Sequence, residues 1–318
     1  MNKIDVSIVI VCMNNYGQLK DCLNSIQQYT TKCTYELLLV AYFFNEVNLA
    51  KLKAEFPWVK VIISDEIRGF SANNNLALRQ AQGEYCFVLN DDTYMKMPVI
   101  DMLVDDMKKH PEAAIVSPQI RRKDDSIQYS GKRPYKWYEH LLFYFHLSDF
   151  RGDPTGKYVK ESGFFQTYHV LGAAFLIRTS VFKKIGFLDE RYFFGPEDLA
   201  VGKELDKIGE KVFVDADIHI THLVGSTGSK PSRTMCATRP AERKGMTIFA
   251  SNGNRFRRFL LESGIFINSF IMMLFFLIQM LRGKEGSRYS FKANKNVCKT
   301  IFSNKTTTQI FKEFYETA

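Results

Sequence analysis

Short apolar runs alternate with helical patterns along the first ninety residues, and this alternation constrains the fold more than any other feature. The runs, rich in β-branched and other apolar residues, cover residues 6–13, 35–43, 59–64 and 85–89. Each predicts a buried strand, and the stretches between them carry apolar residues at helical spacing. Strands that alternate with helices favour an α/β fold with a doubly wound, mostly parallel sheet.

Polar side chains follow two of these predicted strands directly. Asn14 comes after the first strand, and Asn90, Asp91 and Asp92 follow the fourth in "GEYCFVLNDDTYM". Burying carboxylates is costly unless something pairs with them. Open α/β sheets bind ligands beyond the carboxyl ends of their strands. We therefore expect these side chains to line one binding cleft.

Composition narrows the class of protein without naming it. The 318 residues suffice for one large α/β domain or two smaller ones, and the net charge of +9 suits nucleic acid, an anionic membrane or phosphorylated substrates. None of the six cysteines forms a C-x-x-C pair or a cluster with zinc spacing. The N-terminus has no signal-peptide pattern, so we expect the catalytic part in the reducing cytosol.

Four stretches in chain order carry a family resemblance. They are "VSIVIVCMNN", "RGFSANNNLALRQAQGEYCFVLNDDT", "GAAFLIRTSVFKKIGFLDERYFFGPEDL" and "HLVGS", spread over residues 6–226. Together they resemble the family 2, GT-A type glycosyltransferases, especially the bacterial rhamnosyltransferase-like branch. The resemblance implies inverting transfer of a sugar from a UDP- or dTDP-sugar to a glycan or lipid-linked glycan in surface polysaccharide biosynthesis.

The resemblance implies a divalent metal that carries the donor diphosphate. Asn90-Asp91-Asp92 matches the family's D-x-D-like signature, with Asp92 as the first ligand and Asn90 or Asp91 touching metal or sugar. His222 in "HLVGS" completes the site, whereas His219 is expected to be a packed residue. Oxygen ligands suit Mn²⁺ or Mg²⁺. On the residues alone, a solvated Asn-Asp-Asp turn is the alternative.

The family's general base matches Asp198, in "PEDL". An inverting transferase needs one carboxylate to take the proton of the attacking hydroxyl. The alternative is a helix N-terminal Asp that serves only the helix dipole. The remaining predicted nucleotide-sugar contacts are Asn14, Tyr42, Arg68, Asn75, Gly172 and Glu197.

The chain departs from the family pattern at three places. Ala41 and Tyr42 stand where the family has an Asp that contacts the base, Ile67 replaces an Asn, and Ala200 replaces the second carboxylate of E-D-x-D. These departures motivate a second hypothesis, a catalytically degenerate nucleotide-sugar-binding or scaffold protein. A third, a nucleic-acid binder, rests on charge alone and lacks a supporting motif, so we expect no nucleic-acid partner.

The acceptor is expected to meet the aromatic segment that contains Tyr135, Trp137, Tyr138 and Tyr144, because aromatic rings stack on sugar faces. Core packing is the alternative for these residues. Residues 229–246 are polar and basic and predict a mobile loop, in which Arg233, Arg239 or Arg243 could close over the diphosphate.

Residues 265–281 form the most hydrophobic stretch, and cations flank it on both sides. Seventeen helical residues span ~25 Å, short of a ~30 Å bilayer core, so we expect a helix embedded in the inner leaflet; a dimer or core helix is the alternative. We thus predict a glycosyltransferase domain over residues 1–250 and a basic, hydrophobic helical region over 251–318. The first divides into a nucleotide-sugar half (1–95), an acceptor half (96–228) and the mobile loop (229–250), on a protein peripheral to the cytoplasmic face of the membrane.

Overall fold

A computed structural model describes residues 3–145, 158–223 and 232–316. Its strands are β1 (Val6–Cys12), β2 (Tyr35–Tyr42), β3 (Lys60–Ser64), β4 (Tyr85–Asn90), β5 (Thr93–Met95), β6 (Ala113–Arg121), β7 (Ile127–Gln128), β8 (Gly131–Lys132), β9 (Phe164–Thr167), β10 (His169–Val170), β11 (Ala174–Arg178) and β12 (Lys211–His222). Its helices are α1 (Tyr16–Tyr29), α2 (Glu46–Glu55), α3 (Phe70–Leu78), α4 (Val99–Lys109), α5 (Trp137–Tyr144), α6 (Thr179–Lys184), α7 (Glu197–Lys207), α8 (Met235–Ser251), α9 (Arg255–Leu281), α10 (Ser287–Thr300) and α11 (Thr307–Glu316).

The predicted sheet is confirmed as a mixed, mostly parallel sheet. Its main path runs β3-β2-β1-β4-β11-β6-β12-β5, and β11 and β5 are antiparallel to their neighbours. The parallel strands β1, β2 and β4 are apolar on both faces because helices cover both sides. Their carboxyl ends lie at the same edge of the sheet.

The predicted strand over residues 168–178 is interrupted. The chain forms β10 and β11 with a break at residues 171–173, so Gly172 lies in the break rather than within a strand. Different segments pair with the two sides of the break. Before it, the backbone N–H of Leu171 donates to the Ser130 carbonyl, and after it, the Ala173 carbonyl accepts the backbone N–H of Asn90. Gly172 therefore lies next to Ala173, the residue that pairs with the end of β4.

The prediction of a mobile loop over residues 229–246 is wrong for the described part, which forms most of helix α8. The polar sequence and Pro240, which has no backbone N–H to donate, hid the helix. Packing overrides this local preference, since Cys236, Ala237 and Ala241 are buried against neighbouring helices. Residues 229–231 lie outside the described chain.

Helix α9 begins ten residues before the hydrophobic stretch and has 27 residues, about 40 Å of helix. Among the described residues it is the one helix long and apolar enough to cross a membrane, and only 11% of its most apolar window is buried. The core-helix alternative is therefore wrong for this segment. Leu261, Glu262, Ile265 and Ser269 form its covered face, and α10 returns beside it, so a C-terminal helical extension is present, as predicted.

Candidate active site

Asp92 and His222 meet at the carboxyl edge of the sheet. The antiparallel pairing of β5 with β12 sets His222 opposite Thr93, and the backbone N–H of Leu223 donates to the Asp92 carbonyl over 2.8 Å. The Asp92 Oδ1 atom is consequently 3.2 Å from His222 Nε2, and both side chains are 11% exposed. Nδ1 of His222 lies 3.0 Å from the side-chain oxygen of Gln128, which orients the ring.

This pair fits a cation that arrives with a phosphorylated ligand. No group of three or more His, Cys, Asp or Glu side chains suited to a metal occurs in the described parts of the chain. If a divalent cation binds here, Asp92 could supply one carboxylate ligand and His222 one imidazole ligand, with the other positions left to the phosphorylated ligand. Divalent cations such as Mg²⁺ are commonly held in this way, by one or two carboxylates together with substrate phosphates.

Asn90 and Asp91 precede this pair at the end of β4. Burial raises the pKa of Asp91 to about 6, and the neighbouring charge of Asp92 adds to the rise, while a hydrogen bond with the Cys12 thiol opposes it. A second negative charge is thus costly here until a cation approaches. Asn90 donates its backbone N–H to the Ala173 carbonyl over 2.9 Å.

Asp198 and Glu197 begin helix α7, on the other side of residues 172–173. Asp198 Oδ1 accepts the backbone N–H of Leu199 over 2.7 Å, and a Cβ built on Gly172 would be 3.9 Å from the Asp198 Cβ. Burial raises the pKa of Asp198, while backbone N–H groups and Lys132 partly offset the rise. Asp198 is therefore a stronger base than a solvated aspartate.

Glu197 is a less satisfied carboxylate than its neighbour. Its Oε2 atom is buried without a hydrogen-bond partner. Burial, followed by the charge of Asp198, raises the pKa of Glu197 to about 7. Neighbouring carboxylates with perturbed pKa values are often found at acid–base sites.

The two clusters share one edge of the sheet. Asn90 binds Ala173 through its backbone, and the adjacent Gly172 contacts Asp198. The route from Asp92 to Asp198 thus runs back along the chain to Asn90, across its hydrogen bond to Ala173, and on to Gly172. Six of the predicted site residues meet here, namely Asn90, Asp91, Asp92, Gly172, Asp198 and His222, with Glu197 beside them.

Three other predicted contacts lie at the carboxyl ends of β1 and β2 (Asn14 and Tyr42) and between β3 and α3 (Arg68). Asn14 adopts a φ of 54°, and its Oδ1 atom accepts from the Asn45 backbone and from Asn48 Nδ2. The Tyr42 hydroxyl accepts the backbone N–H of Arg68 over 3.3 Å, and the Tyr42 ring packs against the Phe43 ring with centres 4.6 Å apart. The Arg68 guanidinium pairs with Glu66 in an exposed ion pair over 2.7 Å.

Asn75 stands apart from the predicted nucleotide contacts. It is fully buried, its Nδ2 atom donates to the Leu188 carbonyl and to Glu190, and its Oδ1 atom accepts the Leu188 N–H. All of its polar atoms are therefore occupied by the protein. Asn75 ties α3 to the loop before α7 and thereby positions the segment that carries Asp198.

The sequence did not reveal three residues that contact or act on the predicted site residues. The Lys132 charge acts on Asp198, and the Glu242 charge raises the pKa of Glu197. Glu242 reaches the site because α8 packs closely on the loop before α7: a Cβ on Gly245 would be 2.9 Å from the Gly195 carbonyl oxygen. The third, Gln128, orients His222. All three are distant in sequence, and no local pattern signals their approach.

The arginines proposed to close over a diphosphate lie on or before α8. The Arg243 guanidinium stacks on the Tyr144 ring at 4.0 Å, Arg239 is half-buried, and Arg233 is exposed. Tyr144 is buried beneath Arg243, so the packing alternative holds for this aromatic residue. Arg243 is engaged within the protein rather than free to act as a lid.

A cavity of about 390 Å³ adjoins Asp198 through Leu199. Five aromatic side chains and three cations line it: Tyr135, Trp137, Tyr138, Tyr168 and Phe249, with Lys136, Lys203 and Arg257. Three of the four aromatic residues predicted for acceptor recognition are among them. The Tyr135 hydroxyl lies within range of the Asp198 charge. We call this space the aromatic cavity.

The fold is of the GT-A type, a mixed, mostly parallel central sheet with helices on both sides. The fold alone resembles a solved structure described as "Crystal structure of GalNAc-T7 with UDP, GalNAc and Mn2+", with a TM-score of 0.54 at 18% identity over 73% of this chain and 47% of that one. The model of the family described as "Glycosyl transferase family 2" matches residues 7–186, more than half of the chain. The chain belongs to glycosyl transferase family 2, as its motifs predict.

Two curated relatives are similar at lower coverage. The O-antigen biosynthesis protein RfbC of Myxococcus xanthus is 24% identical over 229 residues, which cover 68% of this chain and 17% of that protein. The N-acetylglucosaminyl-diphospho-decaprenol L-rhamnosyltransferase of Mycobacterium tuberculosis is 29% identical over 163 residues, covering 48% of this chain and 52% of that protein. The chain thus spans about half of one relative and about a sixth of the other.

Proposed function

We propose that this protein is an inverting, metal-dependent glycosyltransferase that moves a sugar from a UDP- or dTDP-sugar to a glycan acceptor. The observation that carries the proposal is the placement of Asp198, a half-buried carboxylate whose pKa is raised by burial. It lies beside Gly172, and the next residue, Ala173, is hydrogen-bonded to Asn90, two residues before Asp92 of the Asp92–His222 pair. Asp92 and His222 would hold Mn²⁺ or Mg²⁺. When bound, such an ion neutralises charge on the leaving diphosphate.

Asp198 acts on the acceptor in a single displacement. Its carboxylate takes the proton of the acceptor hydroxyl as the hydroxyl oxygen forms a bond to the anomeric carbon. The bond between that carbon and the diphosphate oxygen breaks, the nucleoside diphosphate leaves, and the anomeric configuration inverts. Leu199 N–H and Gly172 hold the Asp198 carboxylate at the cleft, and the aromatic cavity beside it offers room for the acceptor.

The mycobacterial relative suggests the acceptor class. Its name specifies a glycan carried on a polyprenyl diphosphate, and rhamnose as the transferred sugar. We extend the lipid-linked acceptor to this chain because α9 presents a row of exposed apolar side chains. These are Phe256, Phe259, Ile267, Phe270, Ile271, Leu274, Phe275, Ile278 and Leu281, between 44% and 78% exposed. A role in surface polysaccharide biosynthesis follows, with dTDP-rhamnose as one candidate donor.

Helix α9 would lie in the inner-leaflet interface rather than span the membrane. Its covered face is held by an ion pair between Glu262 and the buried Lys244 of α8, and α10 packs along it. Cations stand at both ends, with Arg255 before the apolar row and Arg282 after it. A helix lying flat places both ends at the level of anionic headgroups, whereas a spanning helix would have to leave the domain.

Substitution of the proposed base tests the reaction. In Asp198→Asn we expect transfer to fall at least 10³-fold, because the amide cannot accept the hydroxyl proton. Donor binding should persist, measured as a thermal shift with UDP or dTDP and Mn²⁺, and it should be lost in Asp92→Asn. Substantial transfer by Asp198→Asn would refute the assignment. Nucleotide binding without any turnover in the wild type would favour the degenerate scaffold instead.

A further inference from the structure

The aromatic cavity carries an unbalanced positive charge. Lys136, Lys203 and Arg257 line it, no Asp or Glu lines it, and none of these three cations forms an ion pair with a carboxylate within the described ranges. Burial lowers the pKa of the lining His140 to about 4, so its ring is neutral at physiological pH and does not change this balance.

Each cation rests on an aromatic face instead. The Lys203 ammonium lies 5.0 Å from the Phe249 ring centre and donates to the Asn252 side chain, and Arg257 stacks on Trp137 at 5.9 Å. Lys136 lies 6.0 Å from the centre of the Tyr138 ring. These contacts position the cations without neutralising them. An anion entering the cavity would meet three donors already held in place.

The residues next to the cavity indicate which other groups its ligand carries. Its lining includes Leu199, next to Asp198, and Arg257, in the first turn of α9. There Arg257 is flanked by Phe256, which is 70% exposed, and is followed by Phe259, which is 58% exposed. A ligand that follows this path would place a hydroxyl near Asp198, an anionic group on the cations and an apolar chain on the outer face of α9.

We propose that the aromatic cavity binds the diphosphate-linked sugar of a polyprenyl-type acceptor, with Lys203 and Arg257 as its diphosphate ligands and the aromatic rings against its sugar. This inference rests on the proposed function and names the acceptor site within it. The cations select a diphosphate over an uncharged glycan, and the exit over Phe256 and Phe259 selects a lipid carrier over a free one.

Tryptophan fluorescence can report directly on this cavity. The chain has two tryptophans, Trp58 and Trp137. Trp58 packs against Tyr35 and Phe56, outside the cavity, so Trp58→Phe leaves Trp137 as the sole reporter. Farnesyl diphosphate, below its micelle concentration, is titrated into this variant. Inorganic pyrophosphate, farnesol and UDP with Mn²⁺ are titrated in parallel.

We expect a saturable change in Trp137 emission with farnesyl diphosphate, at least tenfold weaker binding of pyrophosphate, and no saturable change with farnesol. Lys203→Met and Arg257→Met should each weaken farnesyl diphosphate binding about tenfold, the loss of one charge-assisted contact. Lys207→Met and Arg255→Met remove cations from the same two helices outside the cavity and should leave the affinity unchanged. Thermal midpoints of all four variants confirm that each is folded.

Three results would overturn the inference. Equal binding of farnesol and farnesyl diphosphate would remove the role of the cations, as would equal effects of the cavity variants and their controls. If the change in Trp137 emission shows that pyrophosphate or UDP binds as tightly as farnesyl diphosphate, the cavity is a site for a free diphosphate or for the donor. Because the titration uses neither donor sugar nor turnover, it can fail while Asp198-dependent transfer holds, and it can succeed while transfer fails.

Discussion

The buried Lys244–Glu262 ion pair should decide whether α9 stays attached to the domain. The Lys244 side chain is 1% exposed, and its ammonium donates to Glu262 Oε1 over 2.8 Å and to the Ile301 carbonyl over 2.6 Å. It therefore joins α8, α9 and the end of α10. We predict that Lys244→Met, which keeps most of the side-chain volume, destabilises the protein by about 3 kcal/mol.

The magnitude follows from what the substitution leaves behind. Breaking a buried ion pair on one side costs about 3–5 kcal/mol, because the remaining charge loses its partner. Here Glu262 keeps a second partner, Arg258 at 2.9 Å, which is 37% exposed and so offsets only part of the loss. The Ile301 carbonyl also loses its donor, which adds about 1 kcal/mol. These contributions place the cost near the lower end of that range.

A double-mutant cycle isolates the pair. Lys244→Met combined with Glu262→Met removes both charges, and such apolar replacements are often neutral or stabilising. We expect the double variant to regain about 2 kcal/mol relative to Lys244→Met alone, measured by urea unfolding of the full chain in mild detergent. Arg255→Met, an exposed cation on the same helix, is the control and should change stability by less than about 0.5 kcal/mol. A Lys244→Met effect within that limit, or strictly additive single effects, would refute the reasoning.

Three further predictions follow from the site and from α9. The pKa of Glu197 is raised from its usual 4.5 to about 7, so between these pH values the folded state holds a proton that the unfolded state has lost. The stability of the protein should therefore fall as pH rises from about 4.5 to 7. Thermal unfolding of Glu197→Gln over this pH range should show no such fall, and an unchanged slope would exclude Glu197 as its source. Asn75→Ala should lower the free energy of unfolding in urea by about 2–3 kcal/mol, because it leaves the buried groups of Leu188 unpaired. The KM for the donor should stay within about twofold of the wild-type value. A rise in that KM without destabilisation would instead support Asn75 as a donor ligand. Leu274→Asp, on the exposed face of α9, should reduce flotation with vesicles that contain anionic lipid and should not lower the unfolding midpoint. The control Val47→Asp, at an exposed position of α2, should float like the wild type. Equal flotation of both variants would contradict binding of α9 to the membrane interface.

The parallel part of the sheet was predictable because its signal is local. Each of the first strands is a run of mostly apolar residues, and β1 and β4 lead into polar residues at their carboxyl ends. The D-x-D-like stretch and "PEDL" were assigned through the family resemblance, which also depends on short stretches in chain order. The strand predicted around Gly172 is broken, and a Cβ built there would meet only side-chain atoms of Asp198 and Phe70 at ordinary contact distances.

The errors share one cause. Helix α8 was taken for a mobile loop because its own sequence, with Pro240 and many polar residues, favours no helix, and its stability comes from residues far along the chain. Tyr144 was grouped with acceptor contacts because aromatic content alone does not distinguish a lining ring from a buried one. Asn75 matched a motif, yet its partners at Leu188 and Glu190 lie more than a hundred residues away.

The sequence by itself determined the class of fold and the family, because their signals lie in short runs of consecutive residues, and it proposed Asp92 and Asp198 as site residues. Only the tertiary structure decided what surrounds them. It set His222 against Asp92 through the register of β5 and β12, and it brought Lys132 and Glu242 to the α7 carboxylates. It also assembled the aromatic cavity from α5, α7, α8 and α9. Burial, pKa and charge balance arise from contacts between distant segments, which no local pattern encodes.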